Sequence, residues 1–206
     1  MGSHLWIGGA TDAGKTTVAR RLARLHALAL FECDRRDAAE HQRIAAVSPA
    51  YRTFLDMDVE ARWVTTTPQW LLENTLTSFA ERFPLILQSI HELARRGRPV
   101  LAEGWDLTPD LVAPHLDDPR RAIWLIPTEA FKRRSWAARD KPSFRRQVSD
   151  PERAVHNAFA RDVLLGEEIA RQAAAHGFDV MIVDGSLDAP ALAAALAARF
   201  APFLES

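Results

Sequence analysis

The chain has 206 residues, enough for one α/β domain with a sizeable core, and 48% of them are hydrophobic, an ordinary globular share. A formal net charge of −1 creates no global field toward nucleic acid or a membrane surface, so neither is an expected partner. The single cysteine, Cys33, excludes an internal disulfide and fits a reducing cytoplasm.

Leu5-Trp6-Ile7 predicts a short buried strand. It leads into Gly9-Ala10-Thr11-Asp12-Ala13-Gly14-Lys15-Thr16, which fits the phosphate-binding loop pattern of glycine, four residues, then glycine-lysine-serine/threonine. The spacing follows from the chemistry. Glycines let the backbone turn sharply and bring its N–H groups to an anion. Lys15 can reach the β- and γ-phosphates, and the Thr16 hydroxyl can ligate Mg²⁺. Thr17 to His26 predicts the helix whose positive end faces the phosphates, with Val18, Leu22 and Leu25 on its apolar side. A glycine turn before an ordinary helix would explain neither the lysine nor the threonine. No apolar run approaches the about 18 residues of a membrane span, and no signal-peptide pattern is expected before the first strand.

Ala27 to Glu32 predicts a second buried strand, ending in Cys33-Asp34-Arg35-Arg36-Asp37. Ligands of doubly wound sheets gather beyond the carboxyl ends of the strands, which places Asp34 and Asp37 in the zone of the γ-phosphate and its acceptor. Ala38 to Ala46 predicts a helix, Ser48-Pro49 a break, and Tyr51 to Trp63 an irregular or helical stretch. Thr67 and Pro68 predict the cap and first turn of a long helix with Leu72, Leu76, Phe79 and Phe83 on one face. The residues from 34 to 96 therefore form a helical insert suited to an acceptor.

Val100-Leu101-Ala102-Glu103 predicts a third strand, followed by Gly104-Trp105-Asp106. An acid at that strand end suits a carboxylate that anchors metal or meets the acceptor. Pro109 to Leu116 predicts a helix and Ala122 to Ile126 a fourth strand. Thr128 then caps a basic helix that carries Lys132, Arg133, Arg134 and Arg139, and Ser149-Asp150-Pro151-Glu152 has capping-box spacing ahead of the next helix. Residues 128–152 predict a helical lid that brings positive charge to a polyphosphate. Phe178 to Asp184 predicts the fifth strand, ending in Gly185-Ser186, and Asp188-Ala189-Pro190 opens a final helix. Trp63, Trp70, Trp105 and Trp136 suit the walls of a ring-binding pocket as well as they suit core packing.

In this order of elements the chain resembles the small P-loop kinases: nucleoside-monophosphate kinases, shikimate kinase and, most of all, the chloramphenicol phosphotransferase-like antibiotic kinases. The resemblance is specific in residues 9–16 and spans nearly the whole chain in element order. It implies a single three-layer α/β P-loop kinase domain over residues 1–206, with a five-stranded parallel sheet flanked by helices and a helical lid. It also implies that Asp34 takes the acceptor's hydroxyl proton, that Arg133 and Arg139 contact phosphates, and that Gly185-Ser186 pack near the base of the nucleotide.

The expected activity is transfer of the γ-phosphate of ATP or GTP, with Mg²⁺, to a hydroxyl of a small molecule, an antibiotic among them. Lys15, Asp34, Arg133 and Arg139 are the expected catalytic groups. Residues Gly9 to Thr17 with Gly185 and Ser186 hold the nucleotide. Thr16, Glu103 and, through water, Asp34 hold the metal, and Asp37, Glu103 and Trp105 meet the acceptor. A cytoplasmic monomer or homodimer is expected. Two competing readings stay open: a metabolic nucleoside or nucleotide kinase, and a nucleotide-dependent switch that transfers nothing.

Overall fold

The computed structural model of the chain describes residues 4–34, 38–140 and 142–204. Five strands form one all-parallel sheet: β1 (Leu5–Gly9), β2 (Ala29–Glu32), β3 (Val100–Glu103), β4 (Ala122–Pro127) and β5 (Val180–Val183), in spatial order β2-β3-β1-β4-β5. Parallel strands need crossovers, and helices supply them. These are α1 (Lys15–Leu25), α2 (Ala38–Val47), α3 (Pro49–Asp56), α4 (Pro68–Ala94), α5 (Pro109–Val112), α6 (Glu129–Ala138), α7 (Pro151–His176) and α8 (Ala189–Leu204). No described helix is long and apolar enough to cross a membrane.

Alternation along the strands divides the core in two. Leu5, Ile7, Leu101, Ile123, Leu125 and Val183 point to one face, where they meet Val18, Ala19 and Leu22 of α1 and Leu192, Leu196 and Phe200 of α8. Trp6, Val100, Ala102, Ala122 and Trp124 point to the other, against Phe79, Phe83 and Ile90 of α4 and Leu165 and Ile169 of α7. A period of two along each strand, read against a period near 3.6 along each helix, produces this sandwich. Trp124 is wholly buried, and its indole N–H escapes the cost of an unmet donor by bonding Leu107 O at 2.7 Å. A third cluster joins Trp63, Val64 and Leu71 to Trp136, Ala158 and Phe159, fastening α6 and α7 to the insert.

Several boundaries differ from the sequence expectation for local reasons. The first helix starts at Lys15 rather than Thr17, and Leu25 is 65% exposed. Ala19 and Ala23 join Val18 and Leu22 in the buried stripe instead. The helix expected over residues 109–116 ends at Val112, and Ala113–His115 tightens into a 3₁₀ turn at Pro114. Asp150, not Ser149, caps α7 by accepting from Arg153 N at 3.0 Å, while Ser149 bonds Glu60 across the insert. Thr67 and Thr128 cap α4 and α6 as their spacing predicts. The segment expected as a lid comprises α6, a 3₁₀ turn over Ser143–Gln147, and the start of α7.

Candidate functional site

The loop after β1 is shaped by its two flanking glycines. Gly9 has φ +123°, and a Cβ there would lie 2.1 Å from Leu125 O, so only glycine lets β1 end this close to β4. Gly14 has φ +80° and caps α1, whose first turn carries Lys15 and Thr16. The free N–H groups of that turn therefore open onto a cavity of about 520 Å³ lined by Thr11, Gly14, Lys15, Thr16, Thr17, Asp34 and Arg139.

Lys15 is buried and donates from Nζ to Ala10 O at 2.7 Å. Burial lowers its pKa, and the charges of Asp34, Glu103 and Asp12 oppose that shift. An ammonium has three N–H donors, so two more can reach oxygens in the cavity. Thr16 Oγ1 donates to Glu103 Oε1 at 3.0 Å. Glu103 is fully buried at the end of β3, in register with Ile7 and Glu32. Its carboxyl is pushed up to about 7, first by burial and then by the nearby charge of Asp34. Its second oxygen, Oε2, has no hydrogen-bond partner.

A hydroxyl and a carboxylate with a spare buried oxygen suit Mg²⁺, which takes few protein ligands and completes its octahedron with phosphate oxygens and water. Among the described residues no group of three His, Cys, Asp or Glu side chains could hold a metal unaided. Asp34 is exposed and lines the cavity opposite Lys15 and Thr16. Asp37 lies outside the described residues.

The middle of the loop is pinned from the lid side. Asp12, at φ +64°, is 3% exposed, and its carboxylate accepts from Trp136 Nε1 at 2.7 Å. It also pairs with Lys132 Nζ at 3.1 Å and Arg139 Nη2 at 2.8 Å. Lys132 Nζ reaches Thr11 Oγ1 at 2.6 Å and Asp162 Oδ2 at 2.7 Å. Thr11 Oγ1 in turn donates to Asp162 Oδ2 at 2.5 Å. Burial alone would raise the Asp162 pKa, but Arg161, 2.7 Å away, and Lys132 hold it below the usual carboxylate range.

Lys132, Trp136 and Arg139 recur at i, i+4 and i+7, so one face of α6 meets the loop. Arg133 sits about 100° around that helix. It is 65% exposed, pairs with Glu129 and lies over the Phe159 ring at 4.2 Å. It therefore lines an α6–α7 groove rather than the loop cavity, against the expectation that it contacts phosphate. The α6 period could have identified Lys132 and Trp136 in advance. Nothing in the local sequence pointed to Asp162, 151 positions from Thr11. Gly185 packs its backbone against Phe131, which lines the loop cavity, and Ser186 N bonds Asp184; neither Gly185 nor Ser186 lines the cavity itself.

A second, smaller cavity of about 240 Å³ lies behind Trp105. Tyr51, Phe54, Trp63, Phe79 and Trp105 wall it, and Arg82 and Arg161 enter it. The carboxylate of Asp162 joins the two cavities, accepting from Arg161 on one side and Thr11 on the other.

No protein-family model matches the chain, and no curated protein sequence matches it. Among solved structures, the chain is similar to the crystal structure of an uncharacterized protein from Eubacterium ventriosum ATCC 27560. The TM-score is 0.44 at 10% identity, over 96% of this chain and 97% of that one. A likeness at that level bears on neither fold nor function. What stands on the chain's own strand register is an α/β fold with a five-stranded all-parallel sheet between layers of helices.

Proposed function

We propose that the protein is a P-loop phosphotransferase that moves the γ-phosphate of ATP or GTP to a hydroxyl of a small molecule. The observation that carries this reading is the meeting of Lys15, Thr16 and the buried Glu103 at a glycine-shaped helix start, with Asp34 across the same cavity. The α1 amides and Lys15 bind the polyphosphate. Thr16 and Glu103 would hold Mg²⁺, which would supply charge neutralisation to the polyphosphate. Asp34 accepts the proton of the acceptor hydroxyl. That oxygen then bonds the γ-phosphorus while the bond to the β–γ bridging oxygen breaks, and the electron pair leaves with the nucleoside diphosphate. Lys15 and Arg139 face the charge that builds on the transferred group.

A switch that only binds nucleotide needs no acid at the position of Asp34 and no second, ring-lined cavity, which is why transfer is the reading adopted here. The lone cysteine and a nucleotide substrate support a cytoplasmic enzyme. The test is mass spectrometry of a panel of nucleosides, sugars, aromatic alcohols and antibiotics incubated with the protein, Mg²⁺ and ATP or GTP. A phosphate ester formed on one of them, and lost in Lys15→Ala, is the expected result. Tight nucleotide binding with no ester on any alcohol contradicts the transfer step.

A further inference from the structure

The 240 Å³ cavity has a composition that selects its occupant. We infer that it binds a compound with one flat ring and a short arm ending in an oxyanion, an aryl carboxylate being the simplest case. The inference rests on the phosphotransferase reading only in making a hydroxyl-bearing member of that class, such as mandelate, the acceptor; the binding itself stands apart from it.

The walls supply the ring preference. Trp105 meets Phe79 edge to face, with centroids 5.0 Å apart. The Arg161 guanidinium lies 5.4 Å from the Trp105 ring centre and 5.7 Å from that of Trp63. Arg82 lies 4.8 Å from the Phe79 ring centre and 5.5 Å from that of Tyr51. Cations at these distances hold the rings in place, and a flat ligand can stack among them without ordering them anew.

The Arg161 guanidinium supplies the oxyanion preference, with the buried charge of Arg82 behind it. Arg82 is only 2% exposed. Its Nε donates to Asp106 Oδ2 at 2.8 Å and its Nη1 to Ser78 Oγ at 3.0 Å. Its Nη2, although 2.8 Å from the same Asp106 oxygen, is poorly aligned and makes no hydrogen bond. Arg161 spends Nε on Asp162 and reaches Thr75 Oγ1 from Nη1 at 3.4 Å. Arg82 Nη2 is shut off from the cavity by its burial, whereas Arg161 Nη2 is accessible and keeps its N–H bonds for an acceptor. A planar carboxylate matches the fork of an arginine. Each arginine already has one carboxylate partner, so the cavity suits one small oxyanion rather than a polyphosphate.

Size fixes the rest. A cavity of about 150 Å³ takes benzene. The additional volume here accommodates a short carboxylate arm but not a nucleoside monophosphate.

The test is calorimetric titration of the full chain with phenylacetate and mandelate, beside cyclohexylacetate, which lacks a flat ring, and 2-phenylethanol, which lacks the oxyanion. The aryl acids are expected to bind about fivefold more tightly than cyclohexylacetate. They are expected to bind at least about tenfold more tightly than 2-phenylethanol. Arg161→Met, which removes the accessible donor and leaves Lys132 to pair with Asp162, should erase the preference for the acid. Should that variant not fold, Trp105→Leu serves instead, and should erase the preference for the flat ring while keeping that for the acid. Equal affinity for mandelate and 2-phenylethanol, or no heat with either aryl acid, overturns the inference. A parallel titration with Mg²⁺ and ATP separates the two ideas. Nucleotide binding without aryl-acid binding removes only this one, and the reverse removes only the phosphotransferase reading.

Discussion

The two cavities at the carboxyl edge of the sheet are made of different materials. The larger is walled by backbone amides, hydroxyls and partly exposed charges from one short loop and its neighbours. The smaller is walled by five aromatic rings and two buried guanidinium groups drawn from residues 51 to 161. One is suited to a hydrated, highly charged tail and the other to a compact ring. Asp162 stands between them, accepting from Thr11 on one side and Arg161 on the other.

The largest expected effect comes from cutting the strut between them. Asp162 is buried and compensates both Arg161 and Lys132. Asp162→Ala leaves Arg161 without its carboxylate and Lys132 with Asp12 alone, and denaturant unfolding should show a loss of about 3–5 kcal/mol. A loss below about 1 kcal/mol would mean that the two cavities are braced independently.

Glu103 sharpens the contrast on the loop side through pH. Its folded pKa of about 7 lies above the ordinary 4.5. Between those values the folded chain holds a proton that the unfolded chain has released, so stability is fullest below the lower value and falls as pH rises toward the upper one. The drop is on the order of 3 kcal/mol, and Glu103→Gln should flatten it. Because Mg²⁺ needs the carboxylate, nucleotide binding at pH 6 should release protons, measurable as a dependence of the heat on buffer ionisation. An unchanged stability profile in Glu103→Gln would assign the slope to another group.

Asp34→Asn acts on chemistry rather than architecture. Turnover with the true acceptor should fall about 10²-fold with little change in stability, because Asp34 is exposed. Near-full turnover would remove it as the base. Arg133→Ala lies at the small end. It faces neither cavity, so turnover should stay within about twofold, in line with an exposed ion pair. A large loss would return Arg133 to the phosphate site.

The same difference in materials decides what the sequence could reveal. The Gly-x4-Gly-Lys-Thr pattern of residues 9–16 is contiguous, so the turn and helix start it predicts were legible at once, with Gly9 and Gly14 at positive φ and the helix beginning at Lys15. The strands were legible because each is a short apolar run closed by a turn signal. The ring-lined cavity was not, since Tyr51, Phe79, Trp105 and Arg161 become neighbours only after α3, α4 and α7 have packed. Trp63 and Trp105 were open to both a wall role and a core role, and tertiary packing gives them both. Arg133 and Arg139 were not distinguished because a basic run names the helix but not the face. Six residues, a net rotation of about 120° around the axis, separate Arg139 beside Asp12 from Arg133 over the Phe159 ring.

Titration calorimetry of the parent chain and Lys15→Ala with Mg²⁺ and either ATP or GTP asks whether the first loop grips a triphosphate at all. The parent should bind one of the two, with a loss of about 10²-fold or more when Lys15 is removed. Absence of heat with both nucleotides, or equal binding by the two proteins, would contradict the assignment of residues 9–16 to phosphate.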